Sequence, residues 1–337
     1  MSPTEPLVAV YLVTYRRPEM LKRALASALG QTHRNIIVRV VNDDPADPSV
    51  GEIITATRDE RALPYQPIAN RGATRNFNLM FDERDAQFVA LLEDDNWWEP
   101  NFIATMVDIL GTHPDAAVVV GNERIWQELP NGSWSNTGTT VWSFRGVKTY
   151  AYSLEDLCSG AKVCNSSTVF KLPFKRDYRT PDTIPVDVTE FFRERLLDAS
   201  ILLCGDALVN YANTIDTARS KGDAWGIYQM MIVGSVFAAL SDAPRRKALA
   251  KSLWSEVAVA SSPRAVALIQ NGLIVPEARA LLIGAPWTAL ARFLLWFVRH
   301  PSTFVRYRSG VIARKSEFMF LVNAPLTRTL CHSPGEA

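Results

Sequence analysis

The sequence predicts an α/β protein, a mixed but mostly parallel sheet flanked by helices and followed by a helical C-terminal extension. Three observations predict it. Short apolar runs alternate with helical patterns through the first 120 residues, the mark of strands joined by crossover helices. Two acidic clusters, Asp43-Asp44 and Glu93-Asp94-Asp95, each close an apolar run, and open α/β sheets bind ligands at the carboxyl ends of their strands. After Thr214 the pattern is helical almost without a break to about residue 330.

The elements follow in order. Leu7 to Val13 reads as a buried strand, and Pro18 to Leu29 as a helix with proline at its first position and Gly30 as its stop. Ile36 to Val41 is a second strand. A helix over Val50 to Thr57 leads to a short strand near Pro64 to Ile68. Ala73 to Phe81 is helical in pattern, Phe88 to Leu92 is a fourth strand, and a helix over Asn101 to Leu110 precedes the apolar strand Ala117 to Gly121. Ile125 to Trp142 reads as a hairpin turning at Pro130-Asn131-Gly132. Residues 143–185 are irregular, Val188 to Leu197 is an amphipathic helix, and Ile201 to Cys204 and Ala207 to Tyr211 are two short strands.

Composition narrows the function classes. Lys and Arg total 36 against 35 Asp and Glu, so the basic excess of a nucleic-acid binder is absent. The cysteines, Cys158, Cys164, Cys204 and Cys331, match no zinc or redox spacing and are too few for a disulfide framework. His33, His113, His300 and His332 are scattered, which argues against a histidine metal site. The N-terminus has no basic region ahead of an apolar run, so a cytoplasmic location is expected.

Consecutive carboxylates repel one another, and a strand end that gathers three of them has a use for a cation. Hard ions such as Mg²⁺ or Mn²⁺ take oxygen ligands and share them with phosphates. A solvated acidic turn is the alternative, yet Glu93-Asp94-Asp95 runs straight into Asn96-Trp97-Trp98-Glu99-Pro100, and a solvated turn needs no tryptophans.

Four segments in order resemble the family 2 glycosyltransferases. Val8 to Pro18 is similar to the family's first strand and its entrance to the first helix. Ile37 to Asp44 resembles the strand whose terminal aspartate holds the nucleoside. Asn70-Arg71-Gly72-Ala73-Thr74-Arg75-Asn76 resembles the signature of the nucleotide pocket. Leu92 to Pro100 looks like the Asp-x-Asp motif with its following Trp-x-Pro. Glu93 departs from the first aspartate of that motif, and the Asn-Gly to Arg-Asn spacing is shorter than usual.

The resemblance implies a Rossmann-like GT-A fold and an inverting transfer of a hexosyl-type sugar. The donor would be a nucleotide-diphosphate sugar and the acceptor a hydroxyl, in bacterial-type glycan or glycosylated natural-product biosynthesis. Residues 1–122 would form the nucleotide-sugar half, 123–215 the acceptor half and 216–337 the extension. Thr14, Tyr15, Arg17, Asn70, Arg71, Gly72 and Arg75 would contact the donor, with Asp43 or Asp44 on the nucleoside. Asp95 would be the chief ligand of Mg²⁺ or Mn²⁺, with Glu93 or Asp94 reaching the ion or the ribose. Arg75 has a structural alternative, an ion pair to Asp43 or Asp44.

Inverting transfer needs a carboxylate base apart from the metal cluster, because a cation lowers basicity. Asp187, with Glu190 as second choice, occupies the place where the family carries an acidic pair ahead of a helix. The pair also reads as a helix-capping pattern. Trp97 and Trp98 are candidates for stacking on a sugar or for packing, and Trp126 and Trp142 for the core.

Between Ala278 and Ser316 stand seven cations and no acid, interleaved with aromatics. Pro286 to Val298 is too short to span a bilayer. Two readings stay open for residues 286–315: docking on an anionic membrane surface, which would carry the enzyme to a lipid-linked acceptor, or packing as a homodimer interface. A sugar-nucleotide pyrophosphorylase is the enzymatic rival, against which Thr14-Tyr15-Arg16-Arg17-Pro18 lacks the expected glycine-rich loop. A non-catalytic carbohydrate-binding or scaffold protein on the same fold is the other.

Overall fold

A computed structural model of the chain describes residues 5–142, 149–160, 163–197, 200–215, 224–240, 242–259 and 263–326. The chain divides into two compact units. One comprises Met1–Ala151, Val163–Val186 and Ala199–Ala218; the other comprises Tyr152–Lys162, Asp187–Asp198 and Arg219–Ala337.

The first unit is built on one mixed sheet. In chain order its strands are β1 (Val8–Thr14), β2 (Ile36–Asn42), β3 (Ala62–Tyr65), β4 (Phe88–Glu93), β5 (Trp97–Trp98), β6 (Val118–Glu128), β7 (Trp134–Thr140), β8 (Thr149–Ala151), β9 (Thr168–Lys171) and β10 (Ile201–Asn213). The sheet order is β3-β2-β1-β4-β9-β6-β10-β5, with β7 on β6 and β8 on β10. Every residue of β1 is buried, as its unbroken apolar run requires of a central parallel strand. β1 pairs in parallel with β2 on one side and β4 on the other. β9 enters between β4 and β6 and runs antiparallel to both.

Four helices cover this sheet: α1 (Pro18–Leu29), α2 (Ser49–Thr57), α3 (Ala73–Asn78) and α4 (Phe102–Thr112). α1 buries Leu21, Ala24, Leu25 and Ala28, a stripe at helical spacing. α4 does the same with Phe102, Ile103, Met106 and Leu110.

The register differs from the sequence expectation in definable ways. The third strand lies at Ala62–Tyr65 rather than near 64–68, because its start is set by the parallel partner Val38. Helix α3 stops at Asn78 and tightens into a 3₁₀ turn over Leu79–Asp82. The two short strands after Ile201 are one strand, bulged between Cys204 and Val209 as it pairs with β6. The hairpin turns at Gly132, whose φ of 78° is the left-handed conformation glycine allows.

The second unit is helical: α5 (Leu154–Cys158), α6 (Thr189–Leu196), α7 (Ala224–Ala239), α8 (Ala243–Val259), α9 (Pro263–Ile274), α10 (Ala280–Ile283), α11 (Trp287–Arg299), α12 (Pro301–Ala313) and α13 (Lys315–Asn323). α5 starts with a reciprocal capping box between Ser153 and Asp156. The expected amphipathic helix, α6, is buried at nearly every position, Arg193, Glu194 and Arg195 included. Arg195 tolerates this because its donors are met by Ser235 Oγ (2.9 Å) and the carbonyls of Ala324 (2.9 Å) and Pro325 (3.2 Å). Among the described residues no single helix is long and apolar enough to cross a membrane. Cys158, Cys164 and Cys204 are buried thiols that form no disulfide among the described residues; Cys331 lies outside the described residues, as does part of the irregular 143–185 stretch.

Candidate active site at the strand ends

Because β2, β1 and β4 are adjacent and parallel, Asn42 aligns with Thr14, and Val13 with Glu93. The residues that follow these strands therefore share one edge of the sheet. Asp94 is buried there. Its Oδ2 accepts hydrogen bonds from Thr14 Oγ1 (2.8 Å) and Tyr15 N (3.4 Å). Arg17 Nη1 reaches Asp94 Oδ1 (3.4 Å) and Asp95 Oδ2 (3.2 Å) at once, so one guanidinium joins the two neighbouring acids.

The electrostatics follow from this crowding. Burial, and then the charge of Asp95, push the Asp94 carboxyl up to about 6 against the opposing pull of Arg17. Asp95 is also raised, by burial first, against Arg17 and Arg23. Burial alone would lower Arg17, yet the two carboxylates hold it above its ordinary value. Two desolvated carboxylates answered by one shared cation fit a hard divalent ion. Asp95 suits it best: among the described residues the side-chain hydrogen bond it accepts comes from Arg17.

Glu93 has other commitments. Its Oε2 accepts hydrogen bonds from Ser166 Oγ (2.9 Å) and Asn96 Nδ2 (3.2 Å), and Cys164 Sγ donates to it at 3.7 Å. Ser166 Oγ in turn accepts from Glu93 N at 3.0 Å. The serine-rich turn before β9 thus supports the acidic motif from beneath. Beyond it Glu123 is buried, and one of its carboxylate oxygens has no partner among the described residues.

A second cluster follows β2. Asp43 Oδ1 accepts from Arg71 N (2.8 Å), Asp43 Oδ2 accepts from Gly72 N (3.1 Å), and Asn70 Nδ2 donates to the Asp43 carbonyl (2.9 Å). The Asn-Arg-Gly turn is a collar around this one carboxylate. Gly72 holds φ at 84° to make it. Asp44 instead pairs with Arg16, whose hydrogen bond lowers its carboxyl.

Two expectations are corrected here. Arg75 braces neither Asp43 nor Asp44; its Nε donates to Asp182 Oδ2 at 2.8 Å, because helix α3 turns that side chain toward the 177–185 loop. Trp98 is a core residue, 3% exposed, with its ring 4.7 Å from Phe102 and its Nε1 bonded to the Ser166 carbonyl at 2.7 Å. The even spacing of a strand sends Trp97 the other way. Trp97 packs 5.4 Å from Trp126 and 6.0 Å from Trp134, and Trp142 is buried as expected.

Asp187 and Glu190 belong to the second unit. Asp187 sits in the turn Val186–Val188, and α6 begins after it with Val188 at the cap and no side-chain capping bond.

Arg23 had no signal in the sequence, being an arginine in mid-helix. It lies over the rings of Trp97 (3.8 Å) and Trp134 (4.4 Å) and donates to the Asp95 carbonyl at 2.6 Å. Asn76, the last residue of the segment Asn70 to Asn76, is fully buried and both its amide atoms lack a partner among the described residues.

Residues 9–169 match the model of glycosyl transferase family 2, a segment that runs from β1 into β9 and contains both acidic clusters. The glycosyltransferase alr2836 of Nostoc sp. (strain PCC 7120) is 29% identical over 125 residues, 35% of this chain and 38% of that protein. Succinoglycan biosynthesis protein ExoW of Rhizobium meliloti is 33% identical over 91 residues, 26% of this chain and 28% of that protein. The match thus spans less than two fifths of either relative's length. Among solved structures, Staphylococcus aureus TarS 1–349 in complex with UDP aligns with a TM-score of 0.59 at 14% identity, over 92% of this chain and 91% of that one. Mannosyltransferase PcManGT from Pyrobaculum calidifontis, in complex with GDP-Man and Mn²⁺, aligns with a TM-score of 0.50 at 15% identity, over 94% and 88%. At such identities the likeness shows the fold, the GT-A type of α/β sheet with C-terminal helices.

Proposed function

We propose that this protein is an inverting, divalent-metal-dependent glycosyltransferase that moves a sugar from a nucleotide-diphosphate sugar to an acceptor hydroxyl in glycan biosynthesis. The observation that carries the reading is the Asp94-Asp95 pair at the end of β4, Asp94 buried and Asp95 half-buried, bridged by Arg17 and on the same strand edge as the collared Asp43. The family match over this segment supports it, as do the UDP and GDP-Man named with the structural neighbours.

Each residue then has a role. Asp43 holds the Asn70-Arg71-Gly72 turn, whose backbone and Arg71 would border the nucleoside. Thr14 and Tyr15 keep Asp94 oriented. Asp95, with Asp94 or Glu93, would hold Mg²⁺ or Mn²⁺, and the bound ion supplies neutralisation of the charge on the departing diphosphate. Arg17, freed from bridging two acids, would face that diphosphate. Arg23 fixes the Asp95 backbone through its carbonyl, and Trp97 would border the sugar. Asp187, in the turn ahead of α6, would take the proton from the acceptor hydroxyl.

A thermal-shift and donor-turnover panel of UDP, GDP and dTDP sugars, with Mn²⁺ and with EDTA, tests the reading. Stabilisation by one nucleotide family, dependent on Mn²⁺ and lost in Asp95→Ala, is expected. No shift and no turnover with any donor would overturn it.

A further inference from the structure

The helical unit holds a cavity of its own, about 550 Å³ in volume, walled by α7, α9, α11 and α12. Its lining includes Arg264, Arg292, Arg299 and His300 and no acidic residue. Arg264 is paired with Glu256 at 2.7 Å. Arg292 and Arg299 have no acidic partner among the described residues. At the floor, Gln270 is 4% exposed with its Nε2 donor unpartnered, and Arg264 Nε is likewise without an acceptor among the described residues. Unanswered guanidinium charge and a buried amide donor around one cavity call for an anion, and the planar fork of arginine suits phosphoryl oxygens.

The outside of the same helices is apolar. On α11, Trp287 and Val298 are each 78% exposed and Leu294 and Leu295 each 60%. Trp287, Leu294 and Val298 recur at helical spacing and so share one face. On α12, Val305 and Ile312, seven residues apart, are 60% and 62% exposed. Soluble surfaces rarely leave large apolar side chains this bare in a row. Leu295 both lines the cavity and stands in the exposed set, so the apolar face meets the cavity wall there. A free anion would use the cavity but has no use for the face. An anionic lipid uses both, with its phosphate among the arginines and its chains along α11.

We propose that this cavity receives the exposed phosphate of a membrane lipid while α11 lies in the bilayer interface. The site is independent of the donor chemistry, and either can fail without the other. The test is co-sedimentation of the full chain with phosphatidylcholine vesicles carrying phosphatidic acid, or phosphatidylglycerol at matched surface charge, or neither. Binding to the phosphatidic acid vesicles is expected to exceed binding to the phosphatidylglycerol vesicles. Arg292→Gln with Arg299→Gln, both at exposed positions, should lower it about tenfold or more, since each surface cation contributes about 1 kcal/mol. Trp287→Ser with Leu294→Ser should weaken binding to every vesicle while the melting temperature holds.

Equal binding to both anionic lipids, unchanged by the arginine pair, would overturn the pocket. Inorganic phosphate raising the melting temperature through the same arginines, with no vesicle binding, would assign the cavity to a soluble ligand instead. A dimer that Trp287→Ser dissociates, without vesicle binding, would overturn the membrane face.

Discussion

Burial and mutual repulsion raise the Asp94 carboxyl, and burial raises that of its half-buried neighbour Asp95, so their joint negative charge is a cost to the fold that Arg17 only partly offsets. This has a consequence for Asp95→Asn. The amide keeps the hydrogen-bonding shape toward Arg17 but removes one of the two like charges. In metal-free buffer the variant should melt at or above the temperature of the wild type, while the Mn²⁺-dependent part of nucleotide binding disappears; differential scanning fluorimetry reads both. For the proposed base, Asp187→Asn should leave donor affinity near normal and cut turnover by roughly 10²-fold or more. Wild-type turnover in that variant would move the role to Glu190.

Glu123 offers a pH signature. Burial lifts its carboxyl from an ordinary 4.5 to about 8, with Glu93 adding to the rise and hydrogen bonds from Ser167 and Cys164 opposing it. Between those two values the native state carries a proton that the unfolded chain has lost. Stability therefore falls as pH rises through that window. Glu123→Gln removes the titration, so the wild type should lose more melting temperature than the variant between pH 5 and pH 8. Parallel losses would show that Glu123 ionises normally.

At the scale of elements, two contacts decide whether helices hold their places. Arg23 ties α1 to the acidic motif through the Asp95 carbonyl and lies on the faces of Trp97 and Trp134. A lysine keeps the charge but loses the flat stacking. Arg23→Lys should fold normally and weaken Mn²⁺-dependent nucleotide binding, and Arg23→Ala should weaken it further. In the helical unit α7 and α12 approach so closely at Gly310 that an added Cβ would stand 2.3 Å from Ile227 Cδ1 and 2.9 Å from its Cγ1. The branched side chain of Ile227 is buried and has little room to retreat. Gly310→Ala should cost about 1–3 kcal/mol of stability by overpacking, measurable by denaturant unfolding.

At the scale of the whole molecule the two units are interleaved along the chain. Tyr152–Lys162 and Asp187–Asp198 group with the C-terminal helices although each is flanked by segments of the sheet unit. Within the helical unit Phe191 packs 4.6 Å from Trp225 and Phe192 5.5 Å from Tyr228, and Arg195 donates to Ser235 Oγ and to the carbonyls of Ala324 and Pro325. A chain cut after residue 215 would leave these aromatics bare and remove three hydrogen-bond acceptors from the buried Arg195. Such a fragment should be insoluble or bind hydrophobic dye strongly, whereas a separable extension would leave it folded and soluble.

What the sequence determined by itself is what local chemistry can encode. The unbroken apolar run of β1, the proline and glycine that bracket α1, and the carboxylates placed just after β2 and β4 all lie within a few neighbours of one another. From them the α/β class, the strand edge that carries the candidate site, and Asp43, Asp94 and Asp95 within it were legible. The tertiary structure alone decided the partners. Arg75 was free to reach any acid near α3, and packing gave it Asp182 rather than Asp43. Trp97 and Trp98 are identical in composition, yet pairing with β10 sends one to the core and leaves the other beside Arg23. The entry of β9 between β4 and β6, and with it the support of Glu93 by Ser166, joins residues 73 positions apart. Such choices depend on which surfaces meet after collapse, and no window of neighbouring residues contains that information.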